Sequence, residues 1–440
     1  MIGRCLALAA LSFLPGTHSA ARELAATPQN VHQRIAGLQS GDVLTLQPGT
    51  YPGGIWLKSL HGRREAPITI RGQGRKTVIL AQARTNSIDL TDCQWLVIAD
   101  LTFDGQGLAV DAIKAGKDSR LGCHHILIQN NLILNHGGSQ QTVGVSTKSP
   151  CSDWTIRSNT IVGAGTGLYL GNSDGSEPFV RGLIEYNLVS EPMGYCLQIK
   201  HQGPRPDVAA LPAEPSRTIV RYNWFLKNDR RSPDGDRPNV LLGGLPNEGP
   251  GALDRYEVYG NLLFHNSRES LIQATGRVSI HDNVLADVPG TAISIMPHSG
   301  KSPKQVLVYH NTFLQVGQAL AISGMRADAT TVAANLAVGE ARGSQPWPTS
   351  NVRLSLSEAG RVLLAPVVQL GRMDLQPRQF IAANVPAEVL NAVRDDVDYQ
   401  RDFWGNVRQR FEQAGAFVAA TASRPLDAQP QWTKPARPGR

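Results

Sequence analysis

The chain has 440 residues, of which 41% are hydrophobic and 18% charged, and Gly (43) plus Pro (28) supply about one residue in six. That balance is too apolar for a disordered chain and too rich in turn formers for a helical bundle, and the sequence after the extreme N-terminus holds no apolar run long enough to span a bilayer. The net charge of +7, without a nucleic-acid motif, points to an anionic partner such as an acidic polysaccharide rather than to DNA or RNA.

Residues 1–21 read as a cleaved export signal. Arg4 supplies the basic start, Cys5 to Leu14 the apolar stretch, and Ser19-Ala20-Ala21 the small residues at the cleavage site. The expected location is periplasmic or secreted, where disulfides are permitted. Thr27-Pro28 followed by Gln29 to Leu38 predicts a capped amphipathic helix that closes the N-terminal end of the domain.

From there a phrase recurs: a β-branched residue, two variable positions, Asn, one variable position, then an apolar residue. It carries Asn131, Asn159, Asn187, Asn223, Asn261, Asn283, Asn311 and Asn335, at steps of 28, 28, 36, 38, 22, 28 and 24. Each unit holds short β-branched runs separated by Gly or Asn. Such strands are too short to stand alone but bury a continuous interior when stacked coil on coil. The pattern predicts an all-β, single-stranded, right-handed parallel β-helix over residues 22–420, with the Asn side chains stacked at one bend. Leu101 takes the Asn position in an earlier turn. The repeat decays after about residue 340 into a covering segment, and residues 421–440 read as a disordered tail.

Cys93, Cys123 and Cys151 each precede a register-matched isoleucine by five residues, so the repeat stacks them on successive coils. A Cys123–Cys151 disulfide and a ladder of buried thiols both fit this spacing. Gly171-Asn-Ser173-Asp-Gly175 matches a nucleophile-elbow pattern but runs into another short strand, and so reads as a turn.

The two longest steps flank Asn223. One inserts residues 201–216, the other residues 227–250, and adjacent long loops on a solenoid wall a groove. Leu197-Gln198-Ile199-Lys200-His201 leads into the first loop. Alternation turns Leu197 and Ile199 inward and Gln198 and Lys200 outward. A lysine at that strand end, among cations and partly buried, acquires a lowered pKa suited to a general base.

Gly41 to Tyr51, Ile199-Lys200 and Thr218 to Phe225 together resemble the β-helical polysaccharide lyases of the chondroitinase B and alginate lyase type. The resemblance implies β-elimination on an anionic, uronic-acid-containing polysaccharide, with Lys200 as catalytic base. That family carries Arg-His-Gly on the following coil, where this chain has Leu241-Leu-Gly-Gly244, so the cationic partner must come from elsewhere. Arg237 is the first substitute, followed by Arg205 and Arg231. His201 and Tyr195 are candidate proton donors, Gln198 and Trp224 candidate sugar contacts, and Asp229, Asp234 and Asp236 candidate Ca²⁺ ligands. The expected form is a monomer that works without a cofactor or with Ca²⁺. A uronan epimerase or glycoside hydrolase on the same scaffold, and a non-catalytic carbohydrate-binding protein, are the competing readings.

Overall fold

The computed structural model describes residues 21–116, 120–325, 329–340, 348–420 and 422–429; the expected export signal, but for Ala21, and the last part of the tail lie outside them. The strands pair in parallel, coil upon coil, into a right-handed β-helix with three faces. The first face runs from Glu23–Ala26 to Thr330–Ala333, the second from Gly49–Pro52 to Val352–Leu354, and the third carries Ile55–Lys58, Ile88–Thr91, Ile113–Ala115, Val143–Thr147, Thr166–Leu170, Leu197–Ile199 and Val240–Leu242. Inward residues such as Ile98, Ile128, Ile156 and Ile184 stack in register and are fully buried, forming one continuous core from Ala26 to Ala337. Among the described residues no helix is long and apolar enough to cross a membrane.

The asparagines stack between the first and second faces as expected. Each Nδ2 donates to the Oδ1 of the next Asn at 2.8–3.0 Å, from Asn131 to Asn335. Each backbone N–H reaches the same oxygen, as Asn159 N does to Asn187 Oδ1 at 3.0 Å. The residue before each Asn is left-handed. For Asn130, Ser158, Tyr186, Tyr222, Asp282, His310 and Ala334, φ lies between 51° and 57°. That conformation costs a non-glycine residue roughly 1–2 kcal/mol, which the ladder bonds, at ~0.5–1.5 kcal/mol each, offset only because every rung makes several. Leu101 stands in the same column, its N–H donating to Asn131 Oδ1 at 3.1 Å, and Asn351 adds a rung that the repeat phrase does not announce.

Two terminal expectations need correction. The capping helix is shorter than Gln29–Leu38. It spans Val31–Ala36, because the Asn30 side chain accepts from Thr27 N at 2.8 Å and holds the preceding residues in a turn. A strand, Glu23–Ala26, precedes it and pairs with Val43–Leu46. The start of the tail is ordered. Asp374 accepts from Ser423 Oγ (2.8 Å) and Arg424 N (2.7 Å), Arg424 lies over the Trp404 ring, and Leu426 is buried.

The covering segment, from the helix Leu356–Val362 through the helix Ala387–Val393 to Leu426, packs Phe403 and Phe417 on the outward side of the second face. Charged pairs fasten it: Arg408 to Asp282 at 2.5 Å and Asp396 to Arg255 at 2.6 Å. The second face is thereby closed to solvent over these coils, and the third face is left to the insertion loops.

Candidate active site

On the third face, alternation buries Leu168, Leu170, Leu197, Ile199, Val240 and Leu242. The position that follows each of these strands forms an outward column reading Gly116, Lys148, Gly171, Lys200, Gly243. Its register is set by Lys148 N to Ala115 O (3.0 Å), Lys200 N to Leu170 O (2.8 Å) and Gly243 N to Ile199 O (2.8 Å). Glycine is required beside Lys200. A Cβ on Gly171, where φ is +96°, would lie 3.2 Å from Lys200 Cβ, and one on Gly243 would lie 2.4 Å from the Lys200 carbonyl carbon. Bare backbone on both sides leaves room for the ammonium and for whatever approaches it.

Lys200 is half-buried, and burial, followed by the charge of Arg237, pulls its pKa below the ordinary lysine value. The Arg237 guanidinium is held by the carbonyl oxygens of Asp234 (2.7 Å) and Asp236 (2.9 Å) and sits 5.8 Å from the centre of the Tyr195 ring. Lys148 is lowered further, to about 8, by burial; Asp111 opposes that shift and Lys114 and Lys200 add to it. Its Nζ rests 3.4 Å from the centre of the Tyr169 ring, whose hydroxyl is 3.0 Å from Ser173 Oγ. Burial raises the pKa of both Tyr169 and Tyr195, so the phenols stay protonated. Burial and then Lys200 lower those of His201 and His298, which keeps both imidazoles neutral. The result is an outward surface with a lysine of lowered pKa, two protonated phenols and fixed positive charge.

Of the three arginines proposed as partners, Arg237 is the one whose charge acts on Lys200. Arg205 is almost fully buried, bonded to Asp254 and to the Pro212 carbonyl, and so ties the first insertion to the turn before the strand Arg255–Tyr259 instead of facing a ligand. Arg231 is exposed on the second insertion. Gln198 stands on the outward row between Tyr169 and Leu241, but it is only 4% exposed and so lies beneath the groove surface. Trp224 is not a sugar platform. It lies on the second face under the covering segment, packed on Phe403, with its indole N–H donating to the Asp427 carbonyl at 2.7 Å. Gly171 to Gly175 is a turn, closed by Gly175 N to Asn172 O at 3.1 Å.

The three aspartates do not converge. Asp229 pairs with His265 (3.1 Å), Asp234 accepts from Gln141 (3.0 Å) and Asp236 pairs with Arg268 (3.3 Å). Among the described residues no group of three His, Cys, Asp or Glu is placed to hold a metal ion. Cys123 lies directly opposite Cys151, with Cys93 one coil earlier, as the repeat requires. They are free thiols, packed as a buried column, which is the ladder of the two arrangements that the spacing allows and not the Cys123–Cys151 disulfide.

Lys148, Tyr169 and the buried Asp111 escape the sequence reading. Lys148 follows Asn131 by 17 residues and Lys200 follows Asn187 by 13, so their shared column is hidden by loops of unequal length.

No protein-family model matches the chain, and neither does any curated protein. Among solved structures it is similar to an alginate lyase from Paenibacillus sp. str. FPU-7, at 16% identity over 75% of this chain and 97% of that one, with a TM-score of 0.41. It is also similar to the PL6 family alginate lyase AlyGC, at 15% identity and a TM-score of 0.48, covering 90% of this chain but only 58% of that protein's length. A GH136 lacto-N-biosidase from Eubacterium ramulus aligns at 12% identity over 70% of this chain and 66% of its own, with a TM-score of 0.45.

Proposed function

We propose that the protein is an exported, monomeric polysaccharide lyase that cleaves an anionic, uronic-acid-containing polysaccharide by β-elimination, with Lys200 as general base. The observation that carries this reading is Lys200 itself: an outward lysine of lowered pKa, flanked by glycine on both neighbouring coils and facing a fixed arginine. The C5 proton of a uronate is only weakly acidic, and positive charge on the adjoining carboxylate stabilises the developing enolate. Arg237 and Lys148 supply that charge from two sides of the groove. Lys200 Nζ takes the proton, the C4–O glycosidic bond breaks, a C4=C5 double bond forms, and a phenol such as Tyr195 protonates the leaving oxygen. A neutral His201 is the poorer donor.

A specific observation favours one alternative. Asp111 is a buried carboxyl whose pKa is raised by burial, and Asp89, one coil away, raises it further, as a hydrolase acid would need. Its Oδ1 accepts from Val143 N at 2.8 Å and its Oδ2 lies 3.7 Å from Lys114, which suits a structural role better. Incubating the purified protein with alginate, polygalacturonate and chondroitin separates the readings. A lyase yields a 4,5-unsaturated product that absorbs in the ultraviolet. New reducing ends without absorbance would move the protein to the hydrolases, and inverted C5 centres without cleavage to the epimerases.

A further inference from the structure

Among the described residues Trp56, at 68%, is the most exposed of the large hydrophobic side chains. An indole in water is unfavourable, and its flat apolar face is free to take a ring stacked on it. Its place in the register is informative. Trp56 pairs with Asp89, Asp89 with Lys114, Lys114 with Ser146, Ser146 with Tyr169 and Tyr169 with Gln198. Trp56 therefore stands on the outward row of the third face, five coils from Gln198, or about 24 Å at the ~4.8 Å spacing of parallel strands. Two residues on, Lys58 pairs with Thr91 and so begins the column that continues through Gly116 and Lys148 to Lys200.

Lys58, Lys148 and Lys200 thus share one column parallel to the solenoid axis, and Lys114 stands with the Trp56 indole on the parallel outward row two residues before it. Asp89 interrupts that row, but its carboxylate is occupied by Asn86 Nδ2 at 2.8 Å, and Asp111 is matched by Lys114. The Oγ of Ser146, fully buried in the same row, has no partner. A chain of sugar rings bearing one carboxylate each meets both features: carboxylates over the ammonium groups, and the C–H face of a ring on the indole. A single-stranded nucleic acid would want several free aromatic platforms, and here Lys148 already covers Tyr169.

We propose that the third face is an extended track for an anionic polysaccharide, with Trp56 as a remote sugar-binding subsite about five coils from Lys200. The substrate is then a long chain gripped along the axis and cut internally. The proposal builds on the reading of Lys200 but is tested separately, by binding. The full chain carrying Lys200→Ala is run in native gels containing alginate or polygalacturonate, alone and combined with Trp56→Ala or Trp56→Phe. The expected result is retardation by at least one polyuronate, weakened about tenfold by Trp56→Ala and largely restored by Trp56→Phe. Equal retardation of the Trp56→Ala protein overturns the subsite and leaves the lyase reading standing. Trp56-dependent retardation, together with no unsaturated product from the unmodified protein, keeps the track and removes the lyase. Absence of retardation in every polyuronate gel, or equal retardation by oligothymidylate, overturns the track.

Discussion

Two outward-or-bend columns run the length of this solenoid, and they obey opposite rules. The asparagine column repeats one residue on coil after coil. The column on the third face alternates Lys148 and Lys200 with Gly116, Gly171 and Gly243. A carboxamide is donor and acceptor at once, so identical neighbours ~4.8 Å apart satisfy one another. An ammonium is donor only, and a lysine on every coil would stack like charges at that same spacing. Uniformity marks the column that holds the fold, and interruption marks the column that is free to meet a ligand.

The largest expected effect separates the two directly. Lys200→Ala should lower kcat by at least ~10²-fold, while the free energy of unfolding measured in urea stays within the ~0.5 kcal/mol of ordinary surface changes. In the unmodified protein, kcat should rise with pH as Lys200 loses its proton, and the rise should end below pH 10.5 because burial lowers that pKa. Full activity in the variant would take Lys200 out of the mechanism.

Asn187→Ala should do the reverse. It strips the acceptor from both Asn159 N and Asn159 Nδ2, and removes the side-chain donor, one of two from residue 187, to Asn223 Oδ1. Leaving buried groups unpartnered should cost ~2–3 kcal/mol, read as a lower urea midpoint at unchanged slope. Catalysis per folded molecule should be little altered.

A smaller effect sharpens the role assigned to Lys148. Its folded pKa is depressed to about 8, so its charge is present below that pH and lost above it. If it holds a substrate carboxylate, KM should rise severalfold as pH passes about 8. Lys148→Arg, which stays charged beyond pH ~12, should flatten that rise. A rise of the same size in both proteins would show that Lys148 makes no such contact. The smallest effect belongs to the end of the ladder. Asn351 serves a neighbour on one side only, so Asn351→Ala should cost ~1 kcal/mol in the same unfolding measurement.

Legibility in the sequence followed the same division. Asn131 to Asn335 could be placed because each coil repeats the local phrase, and Asn351 was missed because Pro348 replaces the β-branched residue of that phrase. Lys200 was readable from alternation within Leu197–Ile199, its place before the first long insertion, and the resemblance around Ile199-Lys200. Lys148 was not, since nothing local relates it to Lys200. Arg205 and Trp224 resemble ligand contacts in the sequence, but their roles depend on what docks against them: Asp254 in one case, Phe403 and Asp427 in the other. The three aspartates in the second insertion suggest a cation site only until their separate partners are seen.

What the sequence by itself determined was the winding: the short strands of each coil, the asparagine bend, the stacking of the cysteines, and the inward or outward sense of residues such as Leu197 to Lys200. These follow from short-range alternation and from a repeat phrase carried by the coils from Asn131 to Asn335. Only the tertiary structure decided which outward residues share a column, that glycines flank Lys200, that Arg237 and not Arg205 is its cationic neighbour, and that Trp56 lies on the same row as Tyr169. Those neighbours are separated by loops of unequal length, and the parallel hydrogen-bond register, which no single coil encodes, brings them into line.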